Sequence, residues 1–127
     1  MPLIICKDAP RIWKKLDEAG YREVQVNAAL SKKLLEYGRE DRPKYVDEVL
    51  KSVLNERVPM LVTRFEMLFD PRYEIDVLKF FCEKARFAPI AVKWPGAYSA
   101  GKLTYADPEY PDYHEFDCNA YQIRIVL

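Results

Sequence analysis

The chain has 127 residues, with 20 Lys and Arg set against 20 Asp and Glu, half of its residues apolar and 13% aromatic. That composition describes one globular domain with a core of its own and excludes a disordered chain, while no stretch approaches the roughly 20 consecutive apolar residues of a membrane span. A formal net charge of zero also excludes the long-range field of a dedicated nucleic-acid binder. Cys6, Cys82 and Cys118 are far apart and form no C-x-x-C pair, so neither a disulfide framework nor a thiolate metal centre is expected. Buried thiols in a reducing, cytoplasmic setting are the expectation, and the first residues do not read as a secretory leader.

Residues 2 to 6 form a continuous apolar run, the pattern of a strand buried on both faces. Residues 10 to 19 open on Pro10, bring Ile12, Trp13, Leu16 and Ala19 to one side and stop at Gly20, which predicts a helix. Glu23-Val24-Gln25-Val26-Asn27 alternates, placing both valines on one face of an edge strand. Asn27 is then expected to cap a second helix through Leu30, Leu34 and Leu35, ending at Gly38. Pro43 opens a third helix, with Tyr45, Val46, Val49, Leu50, Val53 and Leu54 inward. Met60-Leu61-Val62-Thr63 reads as a second buried strand, and Asp70-Pro71 as the start of a fourth helix that buries Ile75, Leu78, Phe81, Cys82 and Ala85. Residues 89 to 94 supply a third buried strand, residues 95 to 120 an ordered long loop rich in Pro, Gly and Tyr, and residues 121 to 127 an alternating edge strand. This order calls for one domain, residues 1 to 127: a three-layer α/β sandwich around a mostly parallel five-stranded sheet.

Five strands with an acidic residue just after the third resemble the core of P-loop ATPases of the RecA and AAA+ kind. The resemblance implies the sheet order 5-1-4-3-2, with the two alternating segments at the edges and the continuous runs inside. The phosphate-binding position itself reads Lys7-Asp8-Ala9-Pro10-Arg11-Ile12-Trp13. A phosphate cradle needs glycines whose backbone N–H groups wrap the anion; here there is no glycine, Pro10 has no N–H and Asp8 opposes a triphosphate. Gly96-Ala97-Tyr98-Ser99-Ala100-Gly101-Lys102-Leu103 matches G-x-x-x-x-G-K, but Leu103 cannot ligate magnesium, and the following residues suit extended structure rather than a helix. After the third strand, Thr63 stands where a magnesium-holding Asp belongs and Glu66 is displaced from the place of a catalytic carboxylate. The expected P-loop is therefore degenerate.

Phe65-Glu66-Met67-Leu68-Phe69-Asp70-Pro71, Trp94-Pro95-Gly96, Gly101-Lys102-Leu103-Thr104-Tyr105-Ala106-Asp107-Pro108 and Pro111-Asp112-Tyr113 together resemble the small P-loop-like protein of type 3 BREX bacteriophage-exclusion systems. The similarity runs from the second strand onward and is strongest over residues 60 to 113. It implies ATP binding and membership of a multi-protein defence assembly, whereas residues 7 to 13 depart from the ATP-binding pattern. The resulting expectation is a non-enzymatic interaction subunit without cofactor or metal.

Its docking surface is expected between Lys102 and Arg124, where no Lys or Arg occurs and where Asp107, Glu109, Asp112, Glu115 and Asp117 lie among tyrosines. Trp94, Gly96, Tyr98, Gly101, Tyr105, Tyr110 and Tyr113 are its candidate residues; in the other reading the tyrosines fold the segment onto its own domain. His114, among Asp112, Glu115 and Asp117, is read as part of this acidic segment rather than as a metal ligand. Two alternatives stay open. One is an ATP- and magnesium-binding subunit with Glu66 as its acid and Lys7 or Lys102 meeting phosphate. The other is a DNA-binding module acting through Lys32, Lys33, Arg39, Arg42 and Lys44. Self-association is compatible with each.

Overall fold

The computed structural model describes residues 1 to 55 and 57 to 127. Strands β1 (Leu3–Ile5), β2 (Arg22–Gln25), β3 (Met60–Thr63), β4 (Ile90–Lys93), β5 (Ala97–Ser99), β6 (Lys102–Tyr105), β7 (His114–Asp117) and β8 (Arg124–Val126) are accompanied by helices α1 (Pro10–Glu18), α2 (Val26–Leu34), α3 (Arg42–Val53) and α4 (Val77–Lys84). Five strands form one parallel sheet in the order β2-β3-β4-β1-β8. Counted along the chain, that is the expected 5-1-4-3-2, with the two alternating segments at the edges. The reason is burial: β1, β3 and β4 are covered on both faces, so each of their positions favours an apolar side chain.

The alternation of side chains across the sheet separates two cores. Ile5 and Ala91 point towards Leu16 of α1, with Leu3, Ile12, Trp13, Leu61 and Val126 packed around them. Ile4, Met60, Val62, Ile90 and Val92 point the other way, into the larger core built with α2, α3 and α4. Helices thus lie on both faces, and the architecture is a three-layer α/β sandwich.

Three local expectations are corrected. Val26 does not extend β2; it is the first residue of α2, and Asn27 does not cap that helix with its side chain. The turn follows from Arg64, which leaves β3 with φ +48° and accepts the Asn27 N–H on its carbonyl at 2.6 Å. The fourth helix begins at Val77 rather than at residue 70. Asp70 is occupied by Arg72, accepting both its backbone N–H and its guanidinium, and Glu74 at φ +52° breaks any helical continuation. Asp76 instead caps α4, its Oδ1 accepting the Lys79 N–H at 3.1 Å.

The third correction is the largest. Residues 95 to 120 are not a loop but carry an antiparallel three-stranded sheet, β5-β6-β7. Ser99 pairs with Lys102 across a two-residue turn in which Ala100 and Gly101 both have positive φ, 51° and 79°. Positive φ at both central residues defines the type I′ turn, whose twist matches a hairpin. Leu103 and Phe116, paired across β6 and β7, are buried in the larger core. The small sheet therefore adds to the face of the parallel sheet on which α2, α3 and α4 pack.

Candidate functional site

In open α/β sheets, ligands bind beyond the carboxyl ends of the strands. At this edge β1 leads into α1 through residues 6 to 9, none of which has positive φ. The Ala9 carbonyl already accepts the Ile12 N–H at 2.9 Å, so the helix starts at once and no backbone wraps an anion. Asp8 accepts the Trp13 indole N–H at 2.8 Å, and the Lys93 ammonium lies 3.8 Å from the same carboxylate oxygen and 5.3 Å over the Trp13 ring. A carboxylate, an indole and an ammonium therefore occupy the turn in which a P-loop would hold phosphate.

Beside it, the ends of β2, β3 and β4 enclose a cleft of about 660 Å³. Glu23 accepts hydrogen bonds from Thr63 Oγ1 at 3.0 Å and Gln25 Nε2 at 3.3 Å. Glu66, in the first turn of the 3₁₀ helix Glu66–Phe69, accepts from Asn27 Nδ2 at 2.7 Å, and Asn27 Oδ1 accepts the Met67 N–H at 3.1 Å. Arg64 and Lys93 add two cations to the lining. Burial raises the Tyr105 hydroxyl above the usual phenol range, and the nearby charges of Asp112 and Glu66 raise it further. Thr63 is buried and committed to Glu23.

The structure does not bring the candidate phosphate ligands together. Lys7 is exposed in the β1–α1 turn and lies outside the cleft lining. Lys102 opens β6 rather than a helix and pairs with Glu115 at 2.7 Å; that contact lowers the Glu115 carboxyl and raises the Lys102 ammonium from their usual ranges. Glu66 alone of the three lines the cleft.

The candidate docking residues divide. Trp94 is buried against Phe65, Phe69 and Phe116 and donates its indole N–H to the Thr104 carbonyl at 3.0 Å. Gly96 lies against that same carbonyl, Gly101 completes the hairpin turn, and Tyr98 packs on the larger core. Tyr105 stacks on Phe69 with ring centroids 4.2 Å apart, and Tyr113 donates its hydroxyl to Glu115. Only Tyr110 of this set is an exposed aromatic, on a turn between Asp107 and Pro111. His114 lies over Phe69 and Phe116, with Nδ1 2.9 Å from the Asp112 carbonyl. Among the described residues no three His, Cys, Asp or Glu side chains gather as a metal-holding group.

The basic segment on α2 and α3 is partly committed to structure. Arg42 donates to the Leu34 and Tyr37 carbonyls, Lys33 to Ser52, and Lys44 lies over Tyr45. Asn27, Glu23, Gln25 and Lys93 were not singled out in the sequence as site residues. Asn27 and Glu66 are 39 positions apart, and no short motif links residues that meet only through sheet order. No helix among the described residues is long and apolar enough to cross a membrane. No known protein family, curated protein or solved structure matches the chain.

Proposed function

We propose that this chain is a non-enzymatic interaction subunit of a prokaryotic phage-defence complex of the BREX kind, a P-loop ATPase-like domain whose phosphate cradle is gone. The observation that carries the reading is the β1–α1 turn, where Asp8, held by Trp13 and Lys93, takes the place of an anion site. A carboxylate there repels a triphosphate, and the short turn offers no run of N–H donors to offset it. The strand order supports the P-loop-like ancestry, and the resemblance over residues 60 to 113 supports the defence setting. The docking element is the Asp107–Pro111 turn, which presents Tyr110 beside the exposed Asp107 and Glu109 on a segment without Lys or Arg. Free cysteines fit a cytoplasmic location.

Isothermal titration calorimetry of the full chain with ATP and magnesium is expected to give no binding heat. Micromolar affinity would overturn the reading. A second reading, an ATP-handling subunit with a site shared with another chain, draws on the cleft, where Glu66, Arg64 and Lys93 line one space. Under it, Glu66→Gln abolishes nucleotide turnover by the reconstituted assembly; under the first reading turnover is unchanged.

A further inference from the structure

At the opposite, amino-terminal edge of the sheet, α4 ends at Lys84 and the chain returns to β4 past Phe87. Phe87 is 74% exposed, more than any other large apolar side chain among the described residues. It borders a groove of about 220 Å³ lined by Leu54, Asn55, Arg57, Met60, Lys84 and Phe87. Leu54 and Met60 are buried and form an apolar floor, Arg57 and Lys84 supply positive charge, and no carboxylate is among the described lining residues. Arg57 and the neighbouring Arg86 have no ion-pair partner among the described residues. Sites for small molecules usually begin at about 300 Å³, so this groove suits one aromatic side chain flanked by acids.

The chain itself carries that chemistry in Asp107-Pro108-Glu109-Tyr110-Pro111. Tyr110 is 56% exposed on a turn held by its own N–H to the Asp107 carbonyl at 2.9 Å and by the Tyr113 N–H to the Tyr110 carbonyl at 3.1 Å. Two prolines stiffen the turn further, so docking it costs little ordering entropy. Asp107 and Glu109 are exposed and have no ion-pair partner among the described residues. Zero net charge leaves no general repulsion between copies.

We infer that copies of this chain associate head to tail, the acidic Tyr110 turn of one copy seated in the basic groove beside Phe87 of the next. The inference rests on the reading of the Tyr110 turn as a docking element and names its partner. The two surfaces lie at different ends of the sheet: the turn follows Tyr105, which stacks on Phe69 beyond the carboxyl end of β3, whereas Phe87 precedes the amino end of β4. One pairing therefore leaves a free turn on one copy and a free groove on the other, a heterologous contact.

Sedimentation velocity of the full chain tests this across a concentration series at low and high salt. Association that grows with concentration and weakens with salt is expected, because the flanking charge pairs are exposed. Tyr110→Ala and Phe87→Ser each alter an exposed side chain, keep the circular dichroism of the fold, and are expected to sediment as monomers. Mixed, they retain one intact contact, the turn of the Phe87→Ser copy in the groove of the Tyr110→Ala copy, and are expected to stop at a heterodimer. A wild type that stays monomeric throughout, self-association that survives in either variant, or a mixture that forms no heterodimer overturns the pairing. Monomeric wild type whose capture of partner subunits still requires Tyr110 removes only the self-pairing and leaves the proposed function standing.

Discussion

Gly96 stands where the chain leaves the parallel sheet for the small one, and no other residue fits there. A Cβ built at this position would overlap the Thr104 carbonyl oxygen, which is backbone and already accepts the Trp94 indole N–H. Gly96→Ala must push β6 away from Trp94, and the expected loss is about 3 kcal/mol, read as a lower urea midpoint at unchanged slope. Cys6 offers a pH-dependent counterpart. Burial, followed by the proximity of Cys118, pushes its thiol from 9.0 to about 11. An acid whose folded value is raised favours the fold while it stays protonated, so its contribution is complete below about pH 9 and is lost as pH rises through about 11. Thermal melts of the wild type and Cys6→Ala should show a difference that holds at neutral pH and narrows in the wild type's disfavour across that window.

At the scale of elements, the hairpin turn holds a residue whose type fits its backbone poorly. Ala100 sits at φ +51°, a region that a Cβ disfavours by about 1–2 kcal/mol, while Gly101 beside it adopts φ +79° without that cost. Ala100→Asn creates the Asn-Gly pair preferred in type I′ turns, and is expected to stabilise the protein by about 1 kcal/mol in urea unfolding. Helix starts show how a side chain's partner decides its role. Asp70 and Asp76 are both sound caps by type, but Arg72 engages the first and the Lys79 N–H the second. Asp76 also accepts the Tyr121 hydroxyl at 2.7 Å, joining the start of α4 to the segment that leads into β8.

For the whole molecule, the junction between the two sheets is aromatic. Phe69 contacts Phe65, Trp94, Tyr105, His114 and Phe116, drawing on the 3₁₀ helix, the end of β4 and both β6 and β7. Truncation to Phe69→Ala leaves a cavity at this junction and is expected to cost about 3–5 kcal/mol. Because Tyr105, His114 and Phe116 of β6 and β7 all meet Phe69, hydrogen exchange should quicken in residues 97 to 117 more than in β1, β3 and β4. Uniform acceleration across both sheets would show that the small sheet does not open separately. A firmly held small sheet also keeps the Tyr110 turn in one place, so under the proposed self-pairing this variant is expected to weaken association without touching Tyr110.

The sequence by itself determined the parallel sheet, because unbroken apolar runs in β1, β3 and β4 and alternation near β2 and β8 are local records of burial on two faces or one. It also showed that residues 7 to 13 are unsuited to wrapping a phosphate, since a missing glycine and a proline N–H that does not exist are properties of the residues themselves. Only the tertiary structure decided what Asp8, Asn27 and Trp94 touch. Each finds its partner across the fold or across a turn whose path is set by Arg64 or Gly96, and nothing in neighbouring residues announces it. The strands β5, β6 and β7, three or four residues long, were hidden for the same reason: too short to show a period, they are held by aromatic contacts made with Phe69 and Trp94 from outside the segment. The balance of 20 cations and 20 anions belongs to both accounts. Composition sets the total at zero, whereas folding decides that the exposed Asp107 and Glu109 stand at one end of the sheet and Arg57 and Lys84 beside a groove at the other.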